Sequence, residues 1–183
     1  MSRGHLRSMK TRTAEPLEVA RRSSFVWTLG TALISSSCHA TTLKPFTTDG
    51  CSSFPDGTPS QQNLWHDCCV RHDLAYWIGG SDVDRQDADQ SLAQCVATVG
   101  EPAIAALMLA GVRVGGSPYF PTSYRWGYGW PYPHRYGELS ADEVAQLNQQ
   151  RQYVPALNGV ALKQLPAIHQ LLQRHQLLTP EER

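Results

Sequence analysis

Cys68-Cys69-Val70-Arg71-His72-Asp73 is the stretch on which the reading of this chain turns. It lies inside a run from Gln61 to Trp77 that lacks both proline and glycine, and Gly79-Gly80 follows. That pattern predicts a helix over 61–77 that ends at the glycine pair. Successive helical residues are about 100° apart, so with Cys68 at 0°, Cys69 falls near 100°, His72 near 40°, Asp73 near 140° and Tyr76 near 80°. All five share one broad face. An imidazole there can take a proton from water. The carboxylate beside it can hold a hard cation. The two cysteines can fasten the helix that carries both.

The fastening depends on the compartment. Arg21-Arg22 precede an apolar run from Phe25 to Ile34, and small residues lead to Cys38-His39-Ala40. A positive start, a short apolar stretch and a small-residue exit describe a signal peptide over residues 1–40, with cleavage expected after Ala40. The apolar run falls short of the roughly 20 residues a spanning helix needs. The chain has five cysteines, and removing Cys38 leaves Cys51, Cys68, Cys69 and Cys95. An even set in a secreted or periplasmic protein reads as two disulfides. Adjacent helical cysteines diverge too far to bridge each other easily, so each should seek another partner. Two connectivities remain open: Cys68 with Cys95 and Cys69 with Cys51, or the reverse.

The charge pattern excludes one class of partner. Residues 1–40 carry six Lys/Arg and two Asp/Glu, whereas the remaining residues carry ten and fourteen. A mature chain with that acidic balance lacks the basic surface that nucleic acid requires. Thr41 to Pro59, rich in Gly, Pro, Ser, Thr and Asp, reads as loop. Asp82 opens a second helix through about Thr98, with acidic residues near its N-terminal dipole. Glu101 to Val112 forms an Ala- and Leu-rich third. Ser140-Ala141-Asp142-Glu143 matches a capping box that starts a fourth, and a fifth runs from about Ala156 to His175. Between them, residues 118–137 hold five Tyr, two Trp, one Phe, four Pro and three Gly. Such a stretch can seat a bilayer interface or pack over the helices. Little alternating pattern is present, so the expected class is mainly α. The expected division is a signal peptide, a core over 41–137 and a C-terminal helical extension over 138–183.

The motif resembles the active-site helix of the secreted phospholipase A2 family. Tyr76 falls where that family has a supporting tyrosine, and Asp89 precedes Cys95 by the family's six residues. Two positions that carry a further bridge in vertebrate-type members fall on Ala75 and Ala88, so both halves are missing together. The segment Asp49-Gly50-Cys51-Ser52-Ser53-Phe54-Pro55-Asp56-Gly57 departs from the animal calcium loop, Tyr-Gly-Cys-x-Cys-Gly-x-Gly-Gly. It is more similar to the Asp-Gly-Cys-Ser segment of bacterial and fungal members. The resemblance covers about residues 46–98. It implies a pair of disulfide-linked antiparallel helices, with Cys68 bridged to Cys95 and Cys51 to Cys69.

The resemblance also implies a chemistry: calcium-dependent hydrolysis of a fatty-acyl ester at a phospholipid membrane surface. His72 would activate water, Asp89 would orient the imidazole and Tyr76 would bond that carboxylate. Asp73 would hold Ca²⁺, joined by carbonyls from Gly50 and Ser52 and by Asp49 or Asp56. Helical geometry alone does not choose Asp89 over Asp84 or Asp87; the family spacing does. Zinc fits Cys68, Cys69 and His72 poorly, because adjacent cysteines lack the usual ligand spacing. The run Asp82, Asp84, Asp87, Asp89 fails as an EF-hand, with Gln86 and Asp87 at positions that want Asp/Asn and glycine. A non-catalytic secreted lipid- or protein-binding module on the same fold is the alternative. The joint presence of His72, Asp73 and Asp89 favours turnover.

Overall fold

A computed structural model describes residues 42–155, 166–178 and 180. The signal peptide expected over 1–40 and the first part of the expected fifth helix, 156–165, lie outside the described residues. Five helices occur among the described residues: α1 His66–Ile78, α2 Asp82–Thr98, α3 Pro102–Gly115, α4 Ala141–Arg151 and α5 Pro166–Arg174. No strand occurs among them. The class is mainly α, as expected.

α1 begins five residues later than the sequence pattern suggested. The physical reason is the loop before it. Thr58 and Gln61 exchange backbone hydrogen bonds, and Trp65 donates its N–H to the Asp56 carbonyl at 3.0 Å. The Trp65 indole donates to the Pro55 carbonyl at 2.6 Å. These bonds commit 58–65 to turns, so the absence of helix breakers there did not suffice. α3 runs three residues beyond Val112, to Gly115, where the Gly116 N–H donates to the Val112 carbonyl.

α1 and α2 are joined only by Gly79, Gly80 and Ser81. Gly79 and Gly80 adopt φ of 77° and 133°, in the region glycine favours, which turns the chain sharply back. Ser81 then caps α2 in a reciprocal capping box: its hydroxyl accepts from Asp84 N–H, and the Asp84 carboxylate accepts from Ser81 N–H. The turn at one end and a Cys68–Cys95 disulfide at the other make the two helices antiparallel. The second disulfide joins Cys51 to Cys69 and ties the upstream loop to α1. Both pairings are those the resemblance implied.

The C-terminal end of α1 would leave orphan carbonyls. The aromatic stretch satisfies them. Gly127 N–H donates to the Tyr76 carbonyl at 2.7 Å and Gly129 N–H to Trp77 at 3.3 Å. The Trp130 indole donates to the Ile78 carbonyl at 2.8 Å, and the Trp126 indole to Gly80 at 2.9 Å. Gly129 also lies so close to the Trp77 indole that a side chain there would collide with it. Trp126 and Trp130 are fully buried, while Tyr119, Phe120, Tyr124 and Tyr132 are exposed. The stretch therefore divides between packing and surface.

The expected extension shares its core with α1. Leu147 of α4 and Ile168, Leu171 and Leu172 of α5 belong to the apolar cluster of Leu74, Trp77, Ile78, Trp126 and Trp130. Ser140 caps α4 with the expected capping box to Glu143. Arg174 binds both Asp84 and Asp87, fastening α5 to α2. A second cluster gathers both disulfides, Trp65, Leu92, Val96, Ala105 and Met108. Ala75 and Ala88 are buried in the first. His72 sits in sequence between the α1 residues of the two clusters.

Candidate active site

His72 lies six residues before the end of α1 and Asp89 seven after the start of α2, so the antiparallel pairing puts them level. His72 Nε2 stands 3.0 Å from Asp89 Oδ1. Tyr76, one turn beyond His72, donates its hydroxyl to the same oxygen at 2.7 Å. Asp89 is wholly buried and His72 nearly so. Burial and the Asp89 charge push the Tyr76 phenol well above its usual range, so it remains a donor. Gly116 backs it: a side chain at that position would overlap the Tyr76 ring. With Nε2 turned to a carboxylate acceptor, the neutral imidazole carries its hydrogen there and leaves the Nδ1 lone pair to accept a proton.

Asp84 and Asp87, which helical spacing could not separate from Asp89, serve elsewhere. Both pair with Arg174, and Asp84 also takes the Ser81 N–H and hydroxyl. Of the three, Asp89 is the one paired with His72.

His72 and Asp73 border a cavity of about 330 Å³. Gly50, Ser52, Phe54, Leu92, Leu107, Met108, Val112 and Tyr124 also line it. Its walls are largely apolar, supplied by the loop on one side and α3 on the other. Leu107 and Tyr124 reach solvent.

Asp73 turns to a second, smaller cavity of about 240 Å³ shared with Thr47, Thr48, Asp49, Ser52, Tyr124 and Tyr128. Thr48 donates its hydroxyl to Asp73 Oδ2 at 2.6 Å, and Ser52 donates to Asp49 Oδ1 at 2.7 Å. Burial pushes the Asp73 carboxyl up to about 6, against the lowering by Thr48 and His72, and Asp49 and Asp56 raise it further. Oxygen donors and clustered negative charge, with no thiol or imidazole among them, suit a hard cation. Among the described residues no group of three or more His, Cys, Asp or Glu forms a metal cluster. A cation here would rest on one or two carboxylates completed by hydroxyl or carbonyl oxygens and water.

The remaining expected ligands divide. Asp49 and Ser52 line this cavity with Asp73. Gly50 lines the apolar one. Asp56 accepts the Cys51 N–H at 2.7 Å and lies directly under Gly50, where it closes the loop. Gly50 has φ 78° and a side chain there would strike the Asp56 carboxylate, so only glycine fits.

Two neighbours of Asp89 escaped the sequence reading. Arg113 Nε lies 3.1 Å and Arg85 3.8 Å from Oδ2. A signal for Arg113 was present: it is the one charged residue within α3. Thr48 gave none, since loop hydroxyls are common.

Compared with known proteins, the chain matches no family model, no curated protein and no solved structure. The fold and the site must therefore speak from their own chemistry. Among the described residues no helix is long and apolar enough to cross a membrane.

Proposed function

We propose that this protein is a calcium-dependent hydrolase of the secreted phospholipase A2 type, which cleaves a fatty-acyl ester of phospholipid. The observation that carries the reading is the buried His72–Asp89–Tyr76 arrangement, with Nε2 3.0 Å and the phenol 2.7 Å from one carboxylate oxygen, at the edge of an apolar cavity.

In this reading a water beside His72 gives its proton to Nδ1 as its oxygen attacks the ester carbonyl carbon. Asp89 holds the ring and stabilises the imidazolium that forms. The ester carbon–oxygen bond then breaks, and the imidazolium returns the proton to the departing alkoxide. The products are a fatty acid and a lysophospholipid. Leu92, Leu107, Met108 and Val112 give the acyl chain an apolar wall. Asp73, with Asp49, Ser52 and loop carbonyls, would hold Ca²⁺, which when bound polarises the ester carbonyl as a Lewis acid. No nucleophilic serine is required. Two disulfides suit an oxidising, extracytoplasmic setting.

The test is fatty-acid release from phosphatidylcholine and phosphatidylglycerol vesicles, with calcium or with chelator. Wild type should turn over only with calcium, and His72→Asn should lose roughly 10²–10⁴-fold of the rate, the range general-base catalysis supplies. Folded, oxidised wild type that binds vesicles yet releases no fatty acid would instead favour a lipid-binding module.

A further inference from the structure

Asp89 presents its two oxygens to different worlds. Oδ1 receives both His72 and Tyr76. Oδ2 is buried and receives no hydrogen bond of good geometry among the described residues. What faces Oδ2 is charge: the Arg113 guanidinium at 3.1 Å from α3 and the Arg85 guanidinium at 3.8 Å from one turn earlier on α2. A buried carboxylate without such a partner is costly, and the cost can be relieved by rotating toward water or by taking up a proton. Either escape would spoil the oxygen that His72 uses.

Arg113 is also held in place from both ends. Its NH2 donates to the Gln86 carbonyl at 3.1 Å, and its own carbonyl accepts from Arg85 NH2 at 2.9 Å. These bonds cross between α2 and α3 in both directions, so the guanidinium is fixed relative to the helix that carries Asp89. Arg85 is the less independent of the two, buried and lying over the Tyr136 ring. Arg113 keeps about a third of its side chain in solvent, which makes it replaceable without opening the core.

We propose that Arg113 is a positioning residue for hydrolysis: its guanidinium holds the buried Asp89 carboxylate oriented, so that Oδ1 keeps the His72 ring aligned for proton transfer. It is not assigned a contact with the attacking water or the ester, and it acts through Asp89. The proposal rests on the reading of His72 and Asp89 as the proton-handling pair.

The competing explanation is that Arg113 only glues α2 to α3. A double-mutant cycle on the full-length oxidised protein separates the two, with Arg113→Met, Asp89→Asn and both together, assayed on the same vesicles with saturating calcium. Arg113→Met should lower kcat by roughly 10–100-fold with KM changed less than about twofold, because a transition-state interaction is lost. In the Asp89→Asn background, where no charge remains to hold, the same substitution should cost less than about threefold. Arg113→Lys, which retains charge but not the fork, should recover kcat to within about fivefold of wild type. Thermal melts establish which variants fold, and Arg113→Gln replaces the Met variant if that one does not. Equal losses of kcat in both backgrounds, a loss confined to KM, or a Lys variant as slow as the neutral one would overturn the proposal. Inactive wild type would overturn the hydrolase reading and this proposal with it; active wild type with an additive cycle would overturn this proposal alone.

Discussion

The Asp89 environment on α2 and the Asp73 environment on α1 are built in opposite ways. Around Asp89 every contact is made by side chains already in place: a phenol, an imidazole and two guanidinia around a fully buried carboxylate. Around Asp73 two further carboxylates gather, Asp49 and Asp56; the Thr48 and Ser52 hydroxyls donate to Asp73 and Asp49, and the Cys51 N–H to Asp56. Asp49 and Asp56 add to the charge that burial already opposes at Asp73. One half of the site is electrically finished by the fold. The other leaves Asp73 beside Asp49 and Asp56, which is where the proposed Ca²⁺ would sit.

Substituting the two carboxylates should expose that difference most sharply. Asp89→Asn should reduce fatty-acid release by ~10²-fold or more at every calcium concentration, as loss of a histidine-orienting carboxylate does. Asp73→Asn should abolish the calcium dependence itself. Its cleanest readout needs no substrate: calcium at 100 times its Kd should stabilise wild type by about 2.7 kcal/mol, raising the melting temperature. The Asn variant should show no such rise. A calcium-induced shift that survives in Asp73→Asn would place the cation elsewhere.

The disulfides divide along the same line. Cys68–Cys95 clamps the helix pair across 27 residues, and Cys51–Cys69 clamps the loop across 18. Chain entropy gives each a stabilisation of about 3–4 kcal/mol. Replacing Cys51 and Cys69 by alanine should raise the calcium needed for half-maximal rate while sparing the rate at saturation. Replacing Cys68 and Cys95 should lower the saturated rate instead. Identical kinetic effects of the two double variants would erase the distinction between a finished and an unfinished half.

A smaller effect lies at the start of α2. Burial pushes the Asp84 carboxyl up, but His175, Ser81 and Arg174 outweigh it and hold the group well below the usual carboxylate range. A depressed folded pKa contributes stability above the unfolded value of about 4 that is lost as pH falls through the folded value. Asp84→Asn should therefore destabilise at neutral pH, and the gap from wild type should narrow as denaturation is repeated below about pH 4. The vesicle assay near neutral pH should change little, since Asp84 fastens α5 and the α2 cap, not His72. Smallest of all, Tyr76→Phe removes one hydrogen bond from a carboxylate that keeps His72 and Arg113. A loss near 1 kcal/mol in stability, read by urea denaturation, and less than about tenfold in rate is expected.

Much of this was written in the chain. The Ser140-to-Glu143 capping box, the Gly79-Gly80 break and the span of α2 are local signals, decided by backbone donors, glycine freedom and side-chain reach within a few residues. The Cys68-to-Asp73 motif set the helix and one face of the site for the same reason. The start of α1 lies five residues later than its composition implies, because Trp65 spends its N–H and its indole on residues 55 and 56, a tie that composition does not display. Asp89 needed the family spacing, since Asp84, Asp87 and Asp89 share one acidic helix start.

The sequence by itself determined a mainly helical chain, the starts of α2 and α4 and an even set of four cysteines, because caps and composition are local; the pairing of those cysteines came only through the resemblance. Only the tertiary structure decided which carboxylate His72 meets and that α3 brings Arg113 to its far side. It also decided that the aromatic loop, not solvent, caps α1. Those outcomes depend on which elements approach in space, where a buried charge or an orphan carbonyl must find its partner across the fold.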